Sequence, residues 1–556
     1  MQDMLYYIIS ITKHAIMKGE GILDILLLIS AGVILLGVAL HRLTWKIGVP
    51  ALLAFIVLGM VFGSDGILRI QFDDFVLSEQ ICSIALIIIM FYGGFGTSWK
   101  HAKPVAVKAV LLSSLGVVLT AFLTGLFCFK VLRINFWESI LIGSVIGSTD
   151  AASVFSILKS SRLGLKDNTD SLLEMESGSN DPFSYMLTMT VLAIMGGTAS
   201  AGAISYMVFA QIVYGLCAGI GLAAVVLWLL RRFSFGTAES VISFMAGVAL
   251  LSYALPNYLG GNGYMSAYLV GIVIGNIKFP YKQETVHFFD GLTGLMQTLI
   301  FFLLGLLATP SRMPAVLLPG LLIALFLTFV ARPAVVFGIL SPFKSSVPQQ
   351  ALVSFAGLRG AASIVFAVMA TRRGISFSYD LFHMVFVIVL FSILFQGSLL
   401  PFVARKLKMT DQSIDVFKTF TDYSEEKDFG FFQFTMPNGH PWKDRQLNEI
   451  VLPEDMLVVL VIRGTGHIFP NGKTMLLAGD IVVLCGAAFQ EHGPIRLTER
   501  QIPVGSEWNG KTIAKYSPNA GELVILIKRE GNVLIPRGDT CIKGGDTLVI
   551  GEENTK

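Results

Sequence analysis

Gly147-Ser148-Thr149-Asp150-Ala151-Ala152-Ser153-Val154-Phe155 sets a carboxylate in the middle of an apolar stretch and brackets it with glycine and small residues that tolerate a helix break. Gly357-Leu358-Arg359-Gly360-Ala361-Ala362-Ser363-Ile364-Val365-Phe366 repeats the scheme of glycine, three residues and Ala-Ala-Ser, with an arginine as the charge. Ionisable groups at such depth in apolar runs are costly, and by default they are functional or paired. Corresponding interrupted segments in two halves of a chain point to a secondary transporter of inverted repeats with its site at mid-membrane.

Outward from these stretches the composition agrees. Of 556 residues 54% are apolar and 14% charged, against roughly 45–50% and about 25% in soluble domains. A single soluble protein is excluded. At about 20 apolar residues per crossing, the polar and Gly/Pro punctuation gives thirteen spans, at 22–40, 48–63, 79–97, 103–130, 136–158, 172–196, 203–230, 237–254, 263–277, 286–308, 315–340, 348–371 and 377–404. Residues 1–21 read as an interfacial segment interrupted by Lys13, His14, Lys18 and Glu20, without the marks of a cleaved signal. Basic residues gather after odd-numbered spans, among them Arg42, Lys46, Lys100, Lys103, Arg162, Lys166, Arg231, Arg232, Lys344, Arg405, Lys406 and Lys408. Basic loops stay cytoplasmic, so the N-terminus is expected outside and the C-terminal part inside. A net charge of +3 without a basic, aromatic-interleaved tract argues against nucleic acid, and five scattered cysteines argue against a disulfide framework or a zinc site.

Few ionisable residues lie within the spans, so each one can be given a job. Asp150 is in span 5, Glu174, Glu176 and Asp181 are in span 6, Arg332 is in span 11 and Arg359 in span 12. Helical spacing stacks Ser177 over Asp181 and Glu176 over Asn180 on adjacent strips. Asp150 and Asp181, joined by oxygens of Thr149 and Ser177 and by carbonyls freed at breaks near Gly147 and Gly178, suit a hard cation that coordinates oxygen. Arg332 and Arg359 are expected to keep carboxylates such as Glu176 ionised, which leaves Asp181 without a fixed partner and able to trade a proton for a cation. Glu174 is expected to be exposed at the cytoplasmic start of span 6.

The motifs GSTDAASVF (147–155), LEMESGSNDP (173–182), FDGL…LIFFLLGLL (289–307), Ala331-Arg332-Pro333 and Gly357-Leu358-Arg359-Gly360-Ala361 resemble those of the cation/proton antiporters of the electroneutral NhaP type. The resemblance spans nearly the whole membrane part, and the spellings GSTDAA and ESGSNDP are those of its bacterial potassium/proton branch. It implies an all-α polytopic membrane protein of the NhaA-like antiporter fold, with 13 transmembrane helices, inverted repeats, and discontinuous spans 5 and 12 that cross at the site. It further implies a homodimer in the bacterial inner membrane, with lipid as its other partner, that exchanges K+ or Na+ for H+ without a covalent cofactor and serves pH homeostasis. Carried over by residue, Asp181 becomes the cation and proton carrier, with Asp150, Thr149 and Ser177 as co-ligands and Glu176 as a water-mediated or ion-paired neighbour. Asn180, where electrogenic relatives carry a second aspartate, implies one proton per cation, and it is expected to hydrogen-bond an arginine or a carboxylate. Pro182, where many sodium-specific relatives have glycine, bears on ion preference.

The soluble part is a tandem repeat. Shifting residues 440–486 by 66 places aligns Trp442 with Trp508, Arg463 with Arg529, Pro470 with Pro536 and Gly479-Asp480 with Gly545-Asp546, which predicts two small α+β units at 409–490 and 491–556 behind a membrane domain at 22–408. Each unit is expected to carry a short helix after its tryptophan. Each is similar to the TrkA carboxy-terminal (RCK-C) domain of potassium transporters, the second more clearly. That resemblance implies regulation by a small ligand, a cyclic dinucleotide in some relatives, with Arg529, Pro536, Arg537 and Asp546 as candidate contacts. No GxGxxG occurs after residue 409, so a nicotinamide-binding companion domain is absent.

Rival readings meet specific obstacles. An intramembrane aspartyl protease needs Gly-x-Gly-Asp, but Asp181 follows Ser179-Asn180 and Asp150 follows Ser148-Thr149, and two buried arginines are unwelcome beside a dyad that shares one proton. An RCK-gated potassium channel needs a carbonyl filter, and the nearest string, Gly260-Gly261-Asn262-Gly263-Tyr264, ends a polar loop. A sodium or lithium/proton antiporter of the same fold differs only in cavity size.

Overall fold

A computed structural model of the chain describes residues 51–161, 163–197, 200–233, 235–411, 429–453, 456–464, 466–487, 495–503, 505–515, 522–529, 532–534, 536 and 538–553, together with 31, 32, 35 and 37. The predicted span at 22–40 and the segment 1–21 therefore lie essentially outside the described residues. The chain divides into two units, at 1–424 and 425–556.

Helices occupy each of the other predicted spans. They are α1 (Ala51–Phe62), α2 (Phe75–Gly96), α3 (Trp99–Val131), the pair α4 (Phe136–Val145) and α5 (Ala151–Ser160), then α6 (Thr169–Met195). Next come α7 (Ala201–Arg232), α8 (Ala238–Tyr258), α9 (Gly263–Gly275), α10 (Lys282–Leu307), α11 (Pro310–Phe343), the pair α12 (Val347–Phe355) and α13 (Ala361–Arg372), and α14 (Leu381–Lys406). Among the described residues seven helices, α2, α3, α7, α8, α10, α11 and α14, are long and apolar enough to cross a membrane. Polar residues fix their starts. Asp74 caps α2 by accepting from the Val76 and Leu77 amides at 3.0 and 2.9 Å, and Asn262 caps α9 by accepting from Met265 at 3.1 Å.

Burial separates lipid-facing helices from central ones. Tyr206, Phe209, Ile220 and Trp228 on α7 are exposed, whereas every residue of α13 from Ala362 to Ala370 is buried. Apolar side chains that would aggregate a soluble protein are the natural outer surface in lipid. Helices approach closely where glycine allows it. A Cβ on Gly271 or Gly275 of α9 would collide with the carbonyl oxygens of Phe91 or Phe95 on α2, the small-xxx-small contact of membrane helices.

Both predicted interruptions are present. The chain turns at 146–147, has no regular structure through 148–150 and starts α5 at Ala151; it leaves helix after Phe355, has no regular structure through 357–360 and starts α13 at Ala361. A break expected near Gly178 is absent, because α6 is continuous from Thr169 to Met195 with Pro182 inside it. Gly178 makes room instead for the Tyr268 ring, which a Cβ would approach to 2.6 Å. Past α5 the short strand β1 (Gly164–Leu165) pairs antiparallel with β2 (Thr410–Asp411), which follows α14.

The second unit holds two four-stranded sheets. The first contains β3 (Phe429–Thr435), β4 (Met456–Arg463), β5 (Gly466–Ile468) and β6 (Ile481–Ala487) in the order β3-β6-β4-β5. The second contains β7 (Ile495–Gln501), β8 (Glu522–Arg529), β9 (Asn532–Leu534) and β10 (Thr547–Glu553) in the order β7-β10-β8-β9. The 66-residue shift extends to their cores: Met436, Val458, Val461, Leu476, Val482 and Leu484 recur as Ile502, Val524, Ile527, Ile542, Leu548 and Ile550. Even the irregularity in strand pairing recurs, skipping Val459 in one sheet and Ile525 in the other. The expected short helix is a single 3-10 turn in each copy, Leu447–Glu449 and Ile513–Lys515. Three residues close one such turn, the usual length of a 3-10 piece.

Candidate functional site

Each break strands backbone groups, since the last carbonyls of α4 and the first amides of α5 have no helical partner. Two charged residues answer that need. Arg359 Nη1 donates to Gly147 O at 2.9 Å and to Ser148 O at 2.7 Å, at the carbonyl end of α4. The Asp150 carboxylate accepts from the Ser153 amide at 3.2 Å and from its hydroxyl, at the amide end of α5. Positive charge at a helix C-terminus and negative charge at an N-terminus is the favourable arrangement. The two non-helical segments meet directly, with the Asp150 amide donating to Leu358 O at 2.8 Å. The Arg359 amide donates to Ser392 Oγ at 2.9 Å, in a π turn of α14 at Ser392–Gly397.

Glycine serves this crossing by leaving space. A Cβ on Gly360 would run into the Asp150 carboxylate, and one on Gly357 would lie 2.9 Å from Arg332 Nε. Arg332 follows a π turn in α11 (Leu327–Ala331) and reaches Glu176 on α6, donating from Nη2 to both carboxylate oxygens at 2.8 Å. The two side chains are 2% and 0% exposed.

The other polar residues of α6 meet the first break. Ser148 Oγ donates to Asp181 Oδ1, Thr149 Oγ1 and Ser177 Oγ are 2.9 Å apart, and Asn180 Nδ2 donates to Thr149 Oγ1. Asp181, Ser177, Asn180, Ser148 and Thr149 are all at most 5% exposed. Lower on the same helix, Ser184 Oγ donates to Ser144 O at 2.5 Å and Asn262 Nδ2 donates to Pro182 O at 2.7 Å.

The structure thus brings together Thr149, Glu176, Ser177, Asn180, Asp181 and Arg332 with the crossing segments that hold Asp150 and Arg359. Three expectations change. Asn180 bonds a hydroxyl rather than an arginine or a carboxylate, because Arg332 is taken by Glu176 and Thr149 lies within its reach. Arg359 holds backbone carbonyls where a carboxylate partner was expected. Glu174 is only 5% exposed, since α6 begins at Thr169 and places it inside the packed bundle. Sequence reasoning missed Ser148, whose hydroxyl abuts Asp181, although its place beside Thr149 and Asp150 was the available signal. In the soluble unit Arg529 and Asp546 form a bidentate pair at 2.8 and 2.7 Å that Arg463 and Asp480 reproduce at 2.8 Å, a lobe-closing contact common to both copies. Pro536 is half-buried, and Arg537 lies outside the described residues.

Two interrupted helices that cross beside a buried carboxylate define a secondary membrane transporter. The profile described as sodium/hydrogen exchanger, transmembrane, matches residues 25–406, and the TrkA-C domain profile matches 431–488. The chain belongs to the sodium/hydrogen exchanger family of antiporters and is a transporter rather than an enzyme. The TrkA-C match falls on the first copy, the one expected to be the weaker. Its strands β3, β4, β5 and β6 form a complete lobe. A K(+)/H(+) antiporter NhaP of Alkalimonas amylolytica is 32% identical over 472 residues, covering 84% of this chain and 82% of that protein. A K(+)/H(+) antiporter NhaP2 of Shewanella baltica is 32% identical over 466 residues, covering 83% and 80%. The sodium proton antiporter MjNhaP1 of Methanocaldococcus jannaschii shares the fold, with a TM-score of 0.61 at 23% identity over 68% of this chain and 100% of that one.

Proposed function

We propose that this protein exchanges a monovalent cation, K+ in preference to Na+, for H+ in a one-for-one, electroneutral cycle, with Asp181 as the shared carrier. One observation carries the reading. Of the two carboxylates on α6 that meet the crossing, Glu176 is held by Arg332 while Asp181 accepts from a neutral hydroxyl, so Asp181 is the one able to alternate between a proton and a cation. Oxygens of Ser148, Thr149 and Ser177 surround the cation, and Asp150 adds negative charge from the N-terminus of α5. Asn180 carries no charge, so a single carboxylate cycles there. The preference for K+ rests on the relatives named above; a Na(+)/H(+) antiporter 1 of Methanocaldococcus jannaschii, at 27% identity over 62% of this chain, supports the sodium alternative.

The working unit is a homodimer of 13-span protomers built from inverted repeats, in a bacterial inner membrane, with the N-terminus outside and the TrkA-C lobes in the cytoplasm. The lobes regulate exchange by binding a small ligand, a cyclic dinucleotide being the candidate. The β1–β2 ribbon is the mechanical link, because it joins the exit toward the lobes to the loop that precedes α6. That loop also holds the start of α12, through Gln349 Nε2 donating to Asp167 O at 3.0 Å. Truncation after Asp411 keeps the ribbon and truncation after Lys408 removes it. Both should leave transport and abolish ligand response, and only the second should slow exchange.

Proton movement in proteoliposomes on addition of K+, Na+ or Li+ at clamped potential tests the main reading. K+ should move protons at a rate independent of potential, and Asp181→Asn should abolish exchange in a folded protein. Retained exchange in that variant moves the carrier to Asp150.

A further inference from the structure

Arg359 lies in a stretch, 357–360, that no helix holds, yet its guanidinium donates to two carbonyls of the first break. The hold on its own backbone comes from α14. The Arg359 amide donates to Ser392 Oγ at 2.9 Å, and that hydroxyl donates in turn to Gln396 Oε1 at 2.6 Å. Gln396 Nε2 then donates to the carbonyl of Phe355, the last residue of α12, at 3.4 Å. Two backbone groups stranded by the second break are thus met by one pair of side chains, which are 2% and 3% exposed.

The direction of each bond follows from what its members can give. An amide N–H only donates, so the Ser392 oxygen accepts; its single proton goes to Gln396 Oε1, and the Gln396 amide group is left to donate to a carbonyl. Hydrogen bonds in such a series polarise and strengthen one another. Ser392 departs from the habit of buried helical hydroxyls. Thr124, Ser144 and Ser354 each donate back to the carbonyl four residues earlier at 2.7 Å, whereas Ser392 turns to a side chain in the next turn. Both residues belong to the π turn of α14 at Ser392–Gly397, a helix form that recurs at functional sites. At the far end of Arg359 the chain of contacts continues, because the guanidinium holds Ser148 O at 2.7 Å and the Ser148 hydroxyl donates to Asp181 Oδ1.

We propose that Ser392 and Gln396 are positioning residues for cation exchange, which fix the Arg359 backbone so that its guanidinium holds Ser148 where the serine hydroxyl meets Asp181. Neither residue touches the cation. Ser148 does, by turning a lone pair to the ion when Asp181 gives up its proton, and a displaced Ser148 weakens cation binding without changing the moving parts. The proposal rests on Asp181 as carrier.

The test uses full-length protein in proteoliposomes, with initial rates of proton movement read by a trapped dye across a range of K+ concentrations. Ser392→Ala should raise the apparent KM for K+ about fivefold, the worth of one neutral hydrogen bond, and leave the maximal rate within about twofold. Gln396→Met, which keeps the length of the side chain and removes its amide, should raise the same KM about threefold. A merely structural role would lower the maximal rate, through fewer folded molecules, and leave KM alone. Arg359→Gln cuts the link to Ser148, so Ser392→Ala added to it should raise KM no further. An unchanged KM in both single variants, a loss confined to the maximal rate, or a Ser392→Ala effect that persists in full beside Arg359→Gln overturns the positioning role and leaves the carrier intact. Exchange that survives Asp181→Asn overturns the carrier reading, and the positioning role with it.

Discussion

Arg332 grips Glu176 inside the membrane unit with both side chains essentially dry, at 2% and 0% exposure, whereas Arg463 and Arg529 grip Asp480 and Asp546 with the arginines 39% and 21% exposed and the aspartates 1%. The chemistry is the same and the solvent is different. In the membrane unit each ion has lost its hydration, so the attraction mainly offsets desolvation and each partner exists to keep the other tolerable. In the soluble lobes the guanidinium keeps part of its water, and the pair acts as a local clasp. Asp480 also accepts from the Leu477 amide at 2.8 Å and Asp546 from the Lys543 amide at 2.7 Å. Loss of one partner should therefore be severe in the first setting and modest in the second.

The membrane pair gives the largest effect. Arg332→Leu alone, or Glu176→Leu alone, strands a buried charge and should cost about 3–5 kcal/mol, read as a fall in thermal unfolding temperature in detergent and as lost exchange. Arg332→Leu with Glu176→Leu should regain most of the stability. If the double variant is no better than either single one, the pair is not a closed unit and the contrast with the lobes fails. Next in size is Arg359, which donates charged hydrogen bonds to two carbonyls rather than neutralising a carboxylate. Arg359→Gln should cost about 1.5–3 kcal/mol, the value of such bonds, and should slow exchange without the collapse seen for Arg332. An equal collapse would mean that Arg359 also carries a carboxylate.

The interruptions were legible in the sequence because an unbroken membrane helix seldom sets a charge between glycines inside an apolar run, and the helix breaks at 146–150 and 356–360 follow from that pattern. The Arg332–Glu176 pair was legible as a need, since scarcity left few candidates. The allocation between arginines was not legible: Arg332 and Arg359 look alike in sequence, and only the π turn before Arg332 and the backbone crossing beside Arg359 give them different partners. Gly178 was misread because glycine marks both helix breaks and close contacts, and the ring of Tyr268, 90 positions away in the chain, decides between the two. Glu174 was misread because its burial depends on how α2, α3 and α9 pack around α6. The soluble repeat was the most legible part, since a 66-residue shift carries core, clasp and strand irregularity together.

The lobe clasps should show the smallest effect and a pH signature of their own. The Arg463 and Arg529 guanidiniums hold the Asp480 and Asp546 carboxyls below the usual carboxylate range. A depressed folded value means that the stabilisation is complete above the unfolded value of about 4 and is lost as pH falls through the lower folded value. Asp480→Asn should cost about 1–2 kcal/mol, less than a fully buried pair because the arginine keeps much of its hydration. Amide hydrogen exchange of the intact protein, followed on β6 and β10, separates the two copies. Asp480→Asn should deprotect β6 and leave β10 alone, Asp546→Asn should do the reverse, and in wild type both strands should keep constant protection from pH 8 to 5 and lose it below about pH 4. Because each clasp closes within its own lobe, both variants should retain the basal exchange rate. A drop in that rate as large as that of Arg332→Leu would show that the clasps serve exchange as well as the stability of their own lobes.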